Sequence, residues 1–454
     1  MTTTNNHPLK PHLLKRAVKA AGSMAVLTAA LLFTDPAAAQ DRTITLDEAV
    51  KLGLDNSKTL KLSQARIDQA VSQYNQAKDR SLPTGSASFG YNRAQIPANK
   101  LNVGEESLTL PTSANAYLGT VSLNQTIWAG NRLRYAREST NLLTQVARLD
   151  AVNDRDEIAY NIINSYYNLY KVLQSKKVVE QNLNTVDAQI KQSQRFFEQG
   201  LVTKNDVLRF QLQRSTIELN GIDLENNRRI INYNMNILLG LPEDTQLTIA
   251  EIKEAPATPA PLAAYLDTAV AHRPELRQLD LRTQVAETNI KSIQANLSPT
   301  LSASGSAYYV GISGNPIPKT GNFITPISLG VTLGWNFGAL WTNKNKVTEA
   351  RIQREQVLIS KGITTDNVKN EVNQSYQNYK AAVDRINLLQ TSINQALENN
   401  RILENRYRSN VSTATDRADA QTLLYQAQIN LELAKADAGL AYYTLLKSTG
   451  TLNK

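Results

Sequence analysis

Cysteine is absent, histidine occurs three times, and aromatic residues make up 6% of the 454-residue chain. The missing cysteines exclude disulfides, thiolate metal sites and thiol nucleophiles. Two of the histidines, His7 and His12, fall in the first dozen residues, so a chain trimmed there keeps His272 alone. That excludes a histidine-dependent triad and a multi-histidine zinc site. A carboxylate-only enzyme stays open on composition, but no motif points to catalysis, and neither a cofactor nor a metal is expected. Long apolar runs are also missing: none approaches about eighteen residues, so there is no membrane helix.

The net charge of +9 raises the question of nucleic acid. Its distribution argues against it. Residues 1–39 hold four Lys/Arg and one Asp, a net +3, which leaves +6 (9 − 3) for the rest. Lys10, Lys15, Arg16 and Lys19 form a basic stretch, Ala20 to Phe33 is mostly apolar, and Ala37-Ala38-Ala39 supplies small residues for cleavage. This order reads as a signal peptide over 1–39 with a mature start near Gln40, the alternative being a buried amphipathic helix. Without cysteine at the cleavage point there is no acyl anchor. Export and modest charge together predict no nucleic-acid partner.

The remainder is one unit written twice. Leu82-Pro83-Thr84 recurs as Ser298-Pro299-Thr300, an offset of 216 (299 − 83). Further along the offset settles at 210 (407 − 197): Phe197 falls on Tyr407, Thr203 on Thr413, Asp206 on Asp416, Tyr233 on Tyr443 and Gly240 on Gly450. A constant spacing of this length marks an internal duplication. The division expected is a first repeat over 40–241, a proline-bearing connector over 242–262 and a second repeat over 263–454.

Proline placement locates the helices. None lies between Pro111 and Pro242, and none follows Pro326. Asn131 to Gln199 also lacks glycine and could extend roughly 100 Å as one helix. Val172, Lys176, Val179, Leu183, Val186, Ile190, Ser193 and Phe197 step through it by fours and threes. The second half repeats this register from Ala382 to Tyr407. That is a coiled-coil seam with polar interruptions. Short breaks at Gly200–Lys204 and Asn410–Ala414 predict returning helices, giving hairpins over about 131–240 and about 341–449.

Ahead of each hairpin lies a pair of strand-like segments, over about 84–127 and about 300–337. From Phe323 to Phe337 the odd positions are almost wholly apolar, while the even positions are mostly small or polar. A period of two over this length fits a tilted strand between lipid and an aqueous lumen. Trp128, Trp335 and Trp341 all fall where strand gives way to helix, as an interfacial aromatic belt would. A half-buried edge of a soluble sandwich is the bland alternative for any one strand. The tyrosines Tyr160, Tyr166, Tyr167 and Tyr170 read as helix packing, and Lys176-Lys177 and Arg228-Arg229 as solvated faces.

Four strands cannot close a membrane barrel, whose smallest ordinary members use about eight. Copies must associate: two would give eight strands, while three give twelve (3 × 4) and room for a passage. The expected fold is therefore mainly α with membrane β, a duplicated β-β-long-α-hairpin unit.

At this point the chain resembles the TolC-type outer-membrane efflux and secretion channels, over nearly its whole mature length. The resemblance is carried by Ile44-Thr-Leu-Asp-Glu-Ala-Val50, by Tyr265-Leu-Asp-Thr-Ala-Val270, by His272-Arg-Pro-Glu-Leu276, and by the tips Gly200-Leu-Val-Thr-Lys-Asn-Asp206 and Asn410-Val-Ser-Thr-Ala-Thr-Asp416. It implies a homotrimer in the outer membrane, with a 12-stranded barrel (3 × 4) above a 12-helix periplasmic tunnel. A periplasmic adaptor and an inner-membrane transporter (a pump or an ABC ATPase) would be its partners, and outer-membrane lipid its surroundings. It further implies a closed entrance lined by Asp416 and Asp419, latched through Asp206 and Tyr407. Where family members carry arginine, this chain has Ser412, which predicts a weaker latch; Arg417 between the aspartates is a further departure. A stand-alone diffusion porin and an exported structural coiled coil are the competing readings.

Overall fold

The computed structural model of the protein describes residues 41–95, 97, 100–109, 113–250, 252, 258–314 and 324–452. The export segment expected over 1–39, Phe323 at the head of an expected strand, and part of the connector 242–262 lie outside them.

Two helices dominate because nothing in their sequence breaks them. In chain order the helices are α1 (Leu46–Asn56), α2 (Lys58–Asp79), α3 (Arg132–Glu198), α4 (Lys204–Leu239), α5 (Leu262–His272), α6 (Pro274–Gln294), α7 (Ala339–Arg408) and α8 (Ala414–Ser448). With 67 residues in α3 and 70 in α7, each spans roughly 100 Å. Gly240 and Gly450 stop the returning helices in the left-handed region, both at φ 70°, as the duplication requires. Helix neighbours follow a fixed order: α2, α3, α6 and α7 lie side by side in the strand-proximal half, and α4, α3, α8 and α7 in the half toward the tips.

The strands β2 (Thr84–Gln95), β5 (Ser113–Trp128), β7 (Thr300–Gly314) and β8 (Ile327–Gly334) form one antiparallel sheet in the order β2-β5-β7-β8. In its helix-proximal half the register gives each face one chemistry. Phe89, Val121 and Leu123 share a face with Leu329, Val331 and Leu333, all strongly exposed. On the other face Ser86, Ser122, Ser306 and Ser328 fall in a single row across all four strands. The Ser86 and Ser122 hydroxyls are 2.9 Å apart. The strand expected over Phe323–Phe337 is shorter, with regular pairing only from Ile327 and one bridge from Ile324 to Val310. After Gly334, Trp335 turns aside, its indole N–H donating to the Leu297 carbonyl at 3.0 Å.

Between β2 and β5 lies a small hairpin, β3 (Lys100–Val103) with β4 (Glu106–Thr109), turned by Gly104 at φ 68°. At the equator β1 (Asp41–Ile44) pairs in parallel with β6 (Gln246–Ile249), clasping the two ends of the first repeat. This pair covers the main core, in which Ile44, Tyr166, Tyr167, Leu169, Met235, Leu239 and Leu247 are almost fully buried. Tyr166 donates to the carbonyls of Ile44 (3.3 Å) and Ala250 (3.4 Å), and burial pushes its pKa up to about 12. Here α8 approaches α3 so closely that a methyl group on Gly439 would stand 2.4 Å from the Tyr167 ring. Gly439→Ala should therefore destabilise the protein by about 1–3 kcal/mol, read as a lower unfolding temperature in detergent.

Candidate functional site at the hairpin tips

Each tip is built on the same local device. At the start of α4, Thr203 caps the helix and Asp206 reaches back to it, its carboxylate accepting from the Thr203 N–H (2.8 Å) and hydroxyl (2.7 Å). At the start of α8, Thr413 and Asp416 repeat the arrangement at 3.0 Å and 2.8 Å. These reciprocal bonds satisfy amides that the first helical turn leaves unpaired, and place a carboxylate at its positive end. The Thr413 hydroxyl and amide hold the Asp416 carboxyl below its ordinary pKa, with Arg406 contributing. Asp206 is half-buried and Asp416 exposed, and Asp419 is exposed one turn beyond Asp416.

Behind the caps, the tips are held by an aromatic cluster. Tyr407 is 3% exposed and lies 5.9 Å from the rings of both Phe196 and Phe210, against Ala414 and Ala418. Burial raises its pKa, Asp206 adds to the rise, and the Ser193 hydroxyl and Arg417 oppose it. Tyr407 thus joins α7 to both helices of the first hairpin by packing, while the Asp206 carboxylate serves its own cap. Ser412 makes a long bond to the Leu403 carboxyl-end carbonyl of α7, at 3.4 Å, and stays within its own hairpin.

Arg417 turns inward. Only 4% of its side chain is exposed, and its guanidinium contacts Asn400 and, at 3.5 Å, the Glu404 carboxylate on α7. Burial lowers its pKa and Glu404 partly restores it.

The seam between the two hairpins is polar, which sequence periodicity does not reveal. Ser175, Asn182 and Gln189, seven residues apart, are buried on α3. Asn182 accepts from Gln421 at 2.8 Å and donates to Gln428 at 3.3 Å on α8. Neither amide atom of buried Gln189 finds a partner among the described residues. Within the first hairpin, by contrast, the seam is apolar, with Val179, Val186 and Ile217 at its centre.

At the opposite end of the molecule Trp128, Trp335 and Trp341 are 44%, 52% and 67% exposed at the foot of the sheet. Trp335 and Trp341 flank Phe337, with ring centres 6.1 Å and 6.5 Å apart. No grouping of three or more His, Cys, Asp or Glu side chains suited to a metal occurs among the described residues.

A small sheet with one lipid-compatible face, continued by helices roughly 100 Å long, is the architecture of a membrane conduit. The family model for outer membrane efflux proteins matches residues 49–241 and again 265–451. The chain belongs to that family: it is an outer-membrane efflux channel protein, not an enzyme. Among similar proteins, the outer membrane efflux protein BepC of Brucella suis is 24% identical, the alignment covering 96% of this chain and 91% of BepC. The outer membrane protein TolC of Escherichia coli is 22% identical over 87% of this chain and 80% of its own length. The solved structure of the VceC protein of Vibrio cholerae superposes with a TM-score of 0.73 at 17% identity, covering 89% of this chain and 96% of VceC. That of CusC gives 0.75 at 13% identity, covering 89% and 92%.

Proposed function

We propose that three copies of this chain close into a ring, forming the exit duct of a tripartite efflux pump or type I secretion system. A periplasmic adaptor would join the tips to an inner-membrane transporter, which supplies the energy. One observation carries the reading: both flanks of the protomer are unfinished in both of its layers. The sheet ends in the open edges β2 and β8. Below them, α4 on one flank exposes Leu208, Leu212, Leu219 and Ile222, and α7 on the other exposes Ile359, Ile363, Leu388 and Ile402. Open edges cannot persist in lipid, and uncovered apolar stripes call for a partner. Joining β2 and α4 of one copy to β8 and α7 of the next satisfies both together, through a head-to-tail contact that must close as a ring.

In this assembly the 12 strands (3 × 4) form the barrel, Trp128, Trp335 and Trp341 mark its periplasmic interface, and the hairpins form the tunnel. The repeat boundaries 40–241, 242–262 and 263–454 belong to the same reading. Asp416 and Asp419 would line the entrance, their two carboxylates per chain making six around the axis (3 × 2) and favouring cations. Asp206, Tyr407 and Ser412 would contribute to the latch, chiefly through the aromatic packing of Tyr407. Relatives named for antibiotic and toluene efflux support a small-molecule cargo.

A cysteine pair tests the ring directly, because the natural chain has none. Leu212→Cys with Ile402→Cys places a thiol on each flank at similar distances from the tip. Oxidation should yield covalent trimers on a non-reducing gel. Monomer alone, in membranes that contain the protein, would rule the arrangement out.

A further inference from the structure

We propose a binding site for oxyanions (carboxylate, phosphate or sulfate groups) at the foot of the sheet, where strands give way to the two long helices. A polar cavity of about 490 Å³ lies there, bounded by Arg132 at the start of α3, Lys346 on α7, and the linker residues Asn296, Ser298 and Thr300. Cations from two helices and the Ser298 hydroxyl converge on it, the Thr300 hydroxyl donating instead to the Gly334 carbonyl, and no carboxylate lines it.

The arginine is pre-positioned. Its Nε donates to the Ala129 carbonyl and one terminal nitrogen donates to the Asn296 side-chain oxygen, both at 3.3 Å. Two of the five guanidinium hydrogens are thus used in bonds that orient the fork. Neither Arg132 nor Lys346 lies in an ion pair among the described residues.

Helix electrostatics add a second argument. Cations are unfavourable at the positive N-terminal end of a helix. The tip helices α4 and α8 each open with an acidic capping box, in α4 beside Lys204. The helices at the cavity do the reverse: α3 and α7 open with no side-chain cap and no acidic residue in the first turn. Arg132 and Arg134 instead stand in the first turn of α3, and Lys346 follows in the second turn of α7. Two cations outside any ion pair, one of them at the start of α3, border one cavity and make a local excess of positive potential that an anion would complete.

The cavity's position selects the source of that anion. Thr300 and Gly334, both in its lining, pair with each other on the hydroxyl-bearing face of the sheet, the side away from Leu329 and Leu333. Trp335, one of the interface aromatics, borders the cavity on its other side, so the site lies at the level of the membrane interface while its hydroxyl-bearing side opens to solutes in the passage. This assignment of the ligand's source rests on the barrel reading above; the cavity itself lies within one protomer.

Inorganic phosphate is the probe. Titrated calorimetrically into the purified mature protein in zwitterionic detergent, it should bind saturably, while chloride at equal ionic strength should not. Lys346→Gln, which alters an exposed side chain, should weaken binding about tenfold, and Arg132→Gln with Lys346→Gln should abolish it. Lys380→Gln, on the same helix but far from the cavity, should leave it unchanged. Phosphate binding that is absent, or equally reduced by Lys380→Gln, would overturn the site. Binding of phosphatidylglycerol with no response to phosphate would overturn its assignment to the passage. Covalent trimer formation by the cysteine pair tests the ring separately, so the two can fail independently.

Discussion

Replacing Leu329 and Val331 together with arginine should abolish accumulation of the protein in the outer membrane. These side chains are 86% and 69% exposed on the apolar face of an edge strand. In lipid an arginine near the bilayer centre costs about 2–4 kcal/mol, so two in each of three copies cost about 12–24 kcal/mol (6 × 2–4), enough to cancel a usual stability of about 5–15 kcal/mol. Ser328→Arg, one residue away on the hydroxyl-bearing face, should be tolerated because that face meets water. The measurement is the amount of protein left in urea-washed outer membranes. Equal loss from both changes would mean that the two faces do not differ in surroundings.

Removing the tip charges should have the second large effect. Asp416→Asn with Asp419→Asn should lower the cation-to-anion permeability ratio about tenfold in planar bilayers, as six carboxylates leave one constriction. Because Asp416 also completes a cap, its substitution carries a stability cost of up to about 1 kcal/mol. Asp419→Asn alone does not touch the cap, so a selectivity change there reports the entrance and not helix fraying. Acid should act in the same direction. The Asp416 carboxyl has its pKa lowered in the folded protein, so the cap's contribution is present above the unfolded pKa and is lost as pH falls through the folded one. At neutral pH the cap is intact. Unchanged selectivity in both variants would remove the aspartates from the entrance while leaving the pore.

The sequence made the long elements legible because each carries a sustained period. The long helices Arg132–Glu198 and Ala339–Arg408 occupy the stretches that precede the breaks read at Gly200–Lys204 and Asn410–Ala414. The alternation read in β5 and β8 marks their two faces, while in β7 it breaks after Ser306, where Tyr308, Val310 and Ile312 take the positions of the serines. The small elements left no such trace. Pairing of β1 with β6 joins four-residue segments some 205 positions apart, and so short a segment shows no readable period. Within the stretch read as a connector, β6 precedes α5, and the short helices α1, α2, α5 and α6 were not separated from their surroundings.

The tips show the same limit at the level of single residues. Asp416 and Asp419, three residues apart at a helix start, read equally as residues complementing the helix dipole or as a pair of entrance carboxylates. Only coordinates show that Asp206 and Asp416 bond their own threonines. Likewise Ser175, Asn182 and Gln189 look like surface residues in a polar/apolar pattern, yet face a neighbouring helix. Arg417 could not be oriented from sequence because its partner Glu404 lies on the preceding helix, across the tip.

Counting the chains in one detergent-solubilised particle reaches the central claim most directly. A sheet with two raw edges and helices with two bare flanks require siblings to finish the wall. Native mass spectrometry of the purified mature protein should give a single species containing three chains. A stable one-chain particle, soluble without detergent, would contradict the conduit.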